Sequence, residues 1–239
     1  MPHISLKAEP VFHLFGFPIT NSLLTSLLTI VVIFILGVYY RSQINKKTTN
    51  KSGFFYFLNF INKGLYNFFE PIFHEKTVVF YPILATFFIF ILLQNWLGLL
   101  PGVGSILIHH IPLFRGGTAD LNTTIFLGLA SVILSQYYSI KYLGIKNYIK
   151  RFYDLKNPMS FFIGTLEIVS EFSKILSFSF RLFGNIFAGE VLLTIMAFLV
   201  PILAPVPFFF LEIFVGFIQA LVFAMLTAVF ISLAISKSH

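Results

Sequence analysis

Six ionisable side chains lie in the last two long apolar stretches of the chain: Glu167, Glu171, Lys174, Arg181, Glu190 and Glu212. The amides Asn185 and Gln219 lie among them. The rest of the sequence removes most chemistries they might serve. There is no cysteine, so neither a thiolate nucleophile nor a zinc cluster is available. No Gly-rich phosphate loop with its lysine is present, so no nucleotide site is expected and the chain is not expected to be an enzyme. The histidines fall in tails, loops or interfacial segments, and the pair His109-His110 lacks further ligands nearby, so neither metal nor cofactor is expected. What remains is the handling of charge inside a membrane. One Arg, Lys or Asp at the centre of a membrane helix costs roughly 2.5–3.5 kcal/mol. Several together must pair, face water or lie near headgroups.

Helical phase sorts them. At about 100° per residue, Glu167, Lys174 and Arg181 follow one another by sevens on nearly one stripe, which Asn185 continues four residues later. The stripe leads from one surface to mid-membrane. Glu190 is about half a turn away from Arg181 in angle and roughly 13 Å further along the axis, so it serves another face. On the final helix Glu212 and Gln219 share a side, with Gly216 between them. Two polar regions result that do not join directly. A continuous pore would leak, whereas two offset half-channels need a moving carrier between them. A guanidinium that never deprotonates divides such channels and attracts an ionised carboxylate from a partner. Permanent pairing of Arg181 with a glutamate of its own chain is the competing reading, and the phase of Glu190 weighs against it.

These residues need a scaffold built for lipid. The chain has 239 residues, 57% hydrophobic and 10% charged, far from the composition of a soluble domain. Five apolar segments read as membrane helices over 22–40, 78–100, 123–143, 160–200 and 208–236, because a lipid-exposed chain must satisfy its own backbone groups. The first is too long for a signal-peptide core and lacks a small-residue cleavage site. Residues 1–21 form a tail, and 53–76, aromatic but broken by Asn59, Asn62, Lys63 and Asn67, suits a helix lying on the interface. Lys and Arg number one in the tail before Asn21, six from Arg41 to Thr77, one from Pro101 to Leu121 and five from Lys141 to Pro158. The alternation places the tail outside and the two basic loops inside. The net charge of +7 therefore reflects topology, and no nucleic-acid partner is expected. Asp120-Leu121-Asn122-Thr123 reads as a helix N-cap.

The segment 160–200 has neither proline nor an obvious stop. About 40 helical residues span roughly 60 Å, twice the roughly 30 Å hydrocarbon core. The expected fold is an all-α integral membrane protein of one domain, with five membrane-crossing helices and one interfacial amphipathic helix. The last two helices form a long, strongly tilted hairpin. A break at Gly184 or Gly189 is the alternative.

The run Ser177-Phe178-Ser179-Phe180-Arg181-Leu182-Phe183-Gly184-Asn185-Ile186-Phe187-Ala188-Gly189-Glu190 resembles the hallmark of the a subunit (subunit 6) of F-type ATP synthases. Phe217-Ile218-Gln219-Ala220-Leu221-Val222-Phe223-Ala224-Met225-Leu226 is similar to the same family's final helix. Asn95-Trp96-Leu97-Gly98-Leu99-Leu100-Pro101-Gly102 and Ala119-Asp120-Leu121-Asn122-Thr123-Thr124 match its middle region. The resemblance covers about residues 75 to 235 and implies a proton-conducting stator subunit in which Arg181 faces the carboxylates of a rotating c ring. It implies that Asn185, Glu190, Glu212 and Gln219 line an outside half-channel, and that Glu167, Ser173, Lys174 and Ser177 line an inside one. It also implies the c ring, a b-subunit peripheral stalk, the remaining ATP synthase subunits and membrane lipids as partners, in a bacterial inner membrane or, alternatively, an organelle inner membrane. Two departures stand out: both intake positions, 190 and 212, are glutamate where some members carry histidine, and Ile175 stands where many have proline. A self-contained ion-coupled transporter would favour paired broken helices, which are not seen. A passive scaffold would tolerate replacement of Arg181.

Overall fold

A computed structural model of the chain describes residues 8–14, 16–46, 51–100, 107–108, 111–145, 148–149, 158–201 and 203–236. His109-His110, the turn at 101–104 and most of the basic stretch after Lys141 lie outside the described residues. Six long helices dominate: α1 (Asn21–Asn45), α2 (Gly53–Phe73), α3 (Thr77–Leu99), α4 (Leu121–Leu143), α5 (Pro158–Leu199) and α6 (Pro205–Ser236). Among the described residues, five helical stretches, with α2 and α3 counted as one, are long and apolar enough to cross a membrane.

Alternating ends follow from the contacts. Trp96 and Asn95 near the end of α3 meet Ile213 and Gly216 early in α6, while Phe87 meets Phe223. These two helices are therefore antiparallel. Ala220, Ala224 and Ala228 are all fully buried, and at a spacing of four they give α6 a smooth face within the core that also holds Phe80, Leu84 and Ile91 of α3. Ser131, Ser135 and Ser139 climb α4 at the same spacing. They meet the Thr227 hydroxyl at 2.8 Å, the Phe230 carbonyl at 3.3 Å and the Ala234 carbonyl at 3.4 Å, so α4 and α6 run parallel. Gly128 lets α4 approach α5 closely, since a Cβ there would fall 2.7 Å from the Ser179 hydroxyl and 3.0 Å from the Ile175 carbonyl.

Helix α1 is inverted relative to a helix of a soluble protein. Asn21, Ser22, Thr25 and Thr29 are buried on one face, while Leu27, Ile30, Val31, Phe34 and Ile35 point outward. In lipid this sends apolar groups to the hydrocarbon and polar ones to protein partners. Its N-cap Thr20 accepts a hydrogen bond from the Leu23 N–H at 3.3 Å. Ahead of it, the tail forms an antiparallel hairpin of β1 (Pro10–Leu14) and β2 (Phe17–Thr20), a feature that apolar periodicity did not bring out. Gly16, at φ +84°, makes its turn. A two-residue pair of strands, β3 (Leu107–Ile108) and β4 (Ile111–Pro112), follows α3.

Among the described residues, the polar and ring contacts of helix α2 lie near one end of the bundle. Tyr40 donates to the Asn59 side chain at 3.0 Å, Tyr81 donates to Asn62, Phe73 stacks on Phe80, and Ser232 donates to the Ile72 carbonyl. It therefore runs across the end of α1, the start of α3 and the end of α6. A 3-10 turn at His74–Lys76, with His74 at φ +49°, separates it from α3.

Helix α5 is continuous for 42 residues, passing through Ile175, Gly184 and Gly189 without interruption. The alternative of a break is not what the chain adopts. Phe178 packs on Phe223 and Phe230, and Glu212 lies against Gly189, so α5 and α6 form an antiparallel hairpin. Helix α6 starts at Pro205, and Pro207 follows in the first turn, where a missing N–H breaks no helical bond.

Candidate functional site

Arg181 sits near the middle of α5 on its exposed face. Phe172, Leu176 and Phe180 are exposed around it, as are Ser173, Ser177 and Asn185. Its guanidinium donates to the Ser177 hydroxyl at 3.2 Å, one turn earlier. Among the described residues, no carboxylate pairs with it. The described part of the chain thus presents a permanent cation on a largely apolar outward surface.

Lys174 takes a different direction from Arg181 despite the seven-residue spacing. It bonds Glu171 at 2.6 Å and lies 4.8 Å from the centre of the Phe230 ring on α6. Glu167, one further heptad back, is half-buried. A straight helix drifts about 20° per heptad, enough to carry the lower part of the stripe towards α6 while Arg181 stays outward. The proposed inside residues therefore divide into an exposed pair, Ser173 and Ser177, and a half-buried pair, Glu167 and Lys174.

At the other end, Glu190 and Glu212 come together across the hairpin. Glu212 is buried, and its carboxylate occupies the space beside Gly189 that any Cβ there would fill. Its Oε1 has no hydrogen-bond partner among the described residues, which marks a buried polar atom needing a further partner. Glu190, the next residue on α5, is half-buried and accepts from Arg115 Nη2 at 3.1 Å. Gln219 is half-buried two turns beyond Glu212.

Sequence reasoning counted Arg115 only as a loop charge and missed how it is held. The segment after it is strapped to α3. The Gly117 N–H donates to Gln94 Oε1 at 3.0 Å, and the Thr118 hydroxyl donates to Asn95 Oδ1 at 2.7 Å. Asn95 Nδ2 in turn donates to the Gly216 carbonyl of α6 at 2.8 Å. Gly98 and Gly116 permit the strap, since a Cβ on Gly98 would stand 3.0 Å from the Gly116 Cα. Asp120 closes it as the N-cap of α4, accepting from the Asn122 N–H at 3.4 Å and from the Ser22 hydroxyl at 3.1 Å. The available signal was Arg115 itself, the one basic residue in a connection otherwise cleared of them, followed by two glycines.

A polar hairpin end, a lone mid-helix arginine and five apolar helical stretches are joined by a direct sequence relationship: the family model described as ATP synthase A chain matches residues 23–232. The chain belongs to the ATP synthase A chain family. It is similar to ATP synthase subunit a of Syntrophobacter fumaroxidans, 36% identical over an alignment of 194 residues, with 76% of each chain covered. It is also similar to ATP synthase subunit a of Moorella thermoacetica, 31% identical over 232 residues, 97% of each chain. As an ATP synthase A chain it is a multi-pass, non-catalytic membrane subunit of the complex.

Proposed function

We propose that this chain is the proton-conducting stator subunit of a rotary F-type ATP synthase and that Arg181 separates two offset half-channels. The observation carrying the proposal is the exposed mid-helix guanidinium, which no carboxylate among the described residues neutralises. In a bilayer such a charge requires a partner from another chain. A carboxylate on each subunit of a rotating c ring meets that requirement repeatedly.

Protons enter from outside past Glu190 and Glu212, with Asn185 and Gln219 along the way, and neutralise a ring carboxylate. Neutralisation lowers the cost of moving that site into lipid. After nearly a full turn the site meets the inside path along Glu167, Ser173, Lys174 and Ser177. There Arg181 favours the ionised carboxylate and hence release of the proton. Helix α5, roughly 60 Å long, lies strongly tilted in a roughly 30 Å core, which brings a long stretch of its exposed face against the ring. Helix α2 lies at the inner interface. The peripheral stalk b subunit and the other ATP synthase subunits complete the complex in a bacterial inner membrane. Loss of ATP-driven proton pumping on removing the Arg181 charge is the test.

A further inference from the structure

We infer that Arg115 is a positioning residue for the outside half-channel, acting through Glu190. The inference rests on the functional reading above, in which Glu190 receives protons from outside. Arg115 is 8% exposed, and its Nη2 lies 3.1 Å from Glu190 Oε2. Its backbone N–H donates to Thr25 Oγ1 of α1 at 3.3 Å. The following residues are fixed to α3 through Gln94 and Asn95. The segment that carries Arg115 is therefore anchored to α1 and α3, and its buried side chain reaches a carboxylate on α5.

That geometry addresses a specific difficulty. Glu190 and Glu212 lie at the same end of the hairpin, with Glu212 filling the space beside Gly189. Two carboxylates this close interfere with one another. The guanidinium gives Glu190 a directed, charge-assisted bond of its own, while Glu212 occupies the cleft at Gly189. Among the described residues, the charged groups next to Glu190 are Arg115 from the loop and Glu212 from α6. Asp120, further along the strap, is occupied by Ser22 and the α4 N-terminus. Arg115 thus fixes which carboxylate stands at the mouth and which is buried behind it.

The experiment compares proton flux in reconstituted complexes carrying Arg115→Gln, Arg115→Lys, Glu190→Gln and the Arg115→Gln/Glu190→Gln pair, with Arg181→Ala in parallel. All are normalised to assembled complex. A lost hydrogen bond to a charged group predicts about a tenfold fall for Arg115→Gln. Arg115→Lys restores flux to within about threefold of wild type, because the charge remains while the fork geometry is lost. In the Glu190→Gln background, removing Arg115 produces no further loss. Additive losses, or unchanged flux in Arg115→Gln, would overturn the inference. If Arg115→Gln fails to assemble, Arg115→Lys carries the same cycle: a reduction with Glu190 present and none with Gln at 190 supports the role, and equal reductions in both backgrounds refute it. Arg181→Ala separates the two levels, since wild-type pumping in that variant removes the functional reading itself. Abolished pumping there with normal flux in Arg115→Gln removes only the role of Arg115.

Discussion

The Glu212 carboxylate lies against Gly189, in the volume that any side chain at position 189 would occupy. A glycine on one helix of the hairpin thereby gives an acidic group on the other a buried seat, one residue from Glu190. The fit explains why the apposition is close although both residues lie near the hairpin's turn, where helices easily splay.

Gly189→Ala is expected to separate the hairpin at this end. Overpacking of this kind costs about 1–3 kcal/mol, measurable as a lower unfolding temperature of the purified complex and a fall in coupled flux. Adding Glu212→Ala should restore the stability without restoring the flux. Recovery of both would mean that Glu212 takes no part in proton transfer.

Replacing Glu190 and Glu212 together by glutamine keeps shape and most hydrogen bonding but removes both acidic groups from the outer end. Proton-driven ATP synthesis should fall about tenfold or more. Unchanged synthesis would show that protons reach the ring by another route.

The lower part of α5 should respond more mildly. Lys174→Met removes a partly exposed ion pair with Glu171 and the contact with the Phe230 ring. Partly exposed pairs contribute about 1 kcal/mol or less, so flux should fall no more than about threefold. A complete block would make Lys174 as indispensable as Arg181 and would require a different account of the inside path.

The serine ladder gives a prediction about packing alone. Ser131→Ala removes the 2.8 Å bond to Thr227, and interhelical bonds in membranes average about 0.6 kcal/mol. The expected result is a small drop in thermal stability with normal pumping. Ser131→Leu should prevent close approach of α4 and α6 and abolish assembly.

Run length and helical phase made much of this legible in advance. The apolar segments pointed to membrane helices, and the unbroken stretch around Arg181 pointed to one very long helix, which α5 is. Phase separated Arg181 from Glu190 correctly as to face. It did not say which face another helix would cover, so the turning of Lys174 towards Phe230 was hidden, although Glu171 and Lys174 stand at the helical spacing for a pair. Arg115 was less accessible still. Its partner is 75 residues away on another element, and no periodicity within one segment encodes such a contact. The buried polar face of α1 belongs with it, since Thr25 and Ser22 find their partners in the Arg115 to Asp120 strap, on another element.

The most direct measurement is ATP-driven proton pumping by reconstituted complex carrying Arg181→Ala, with assembly verified in the same preparation. The account predicts an assembled complex that no longer pumps, because the half-channels lose the charge that divides them. Pumping at the wild-type rate would mean that Arg181 serves only the structure of α5 and would contradict the proposed mechanism.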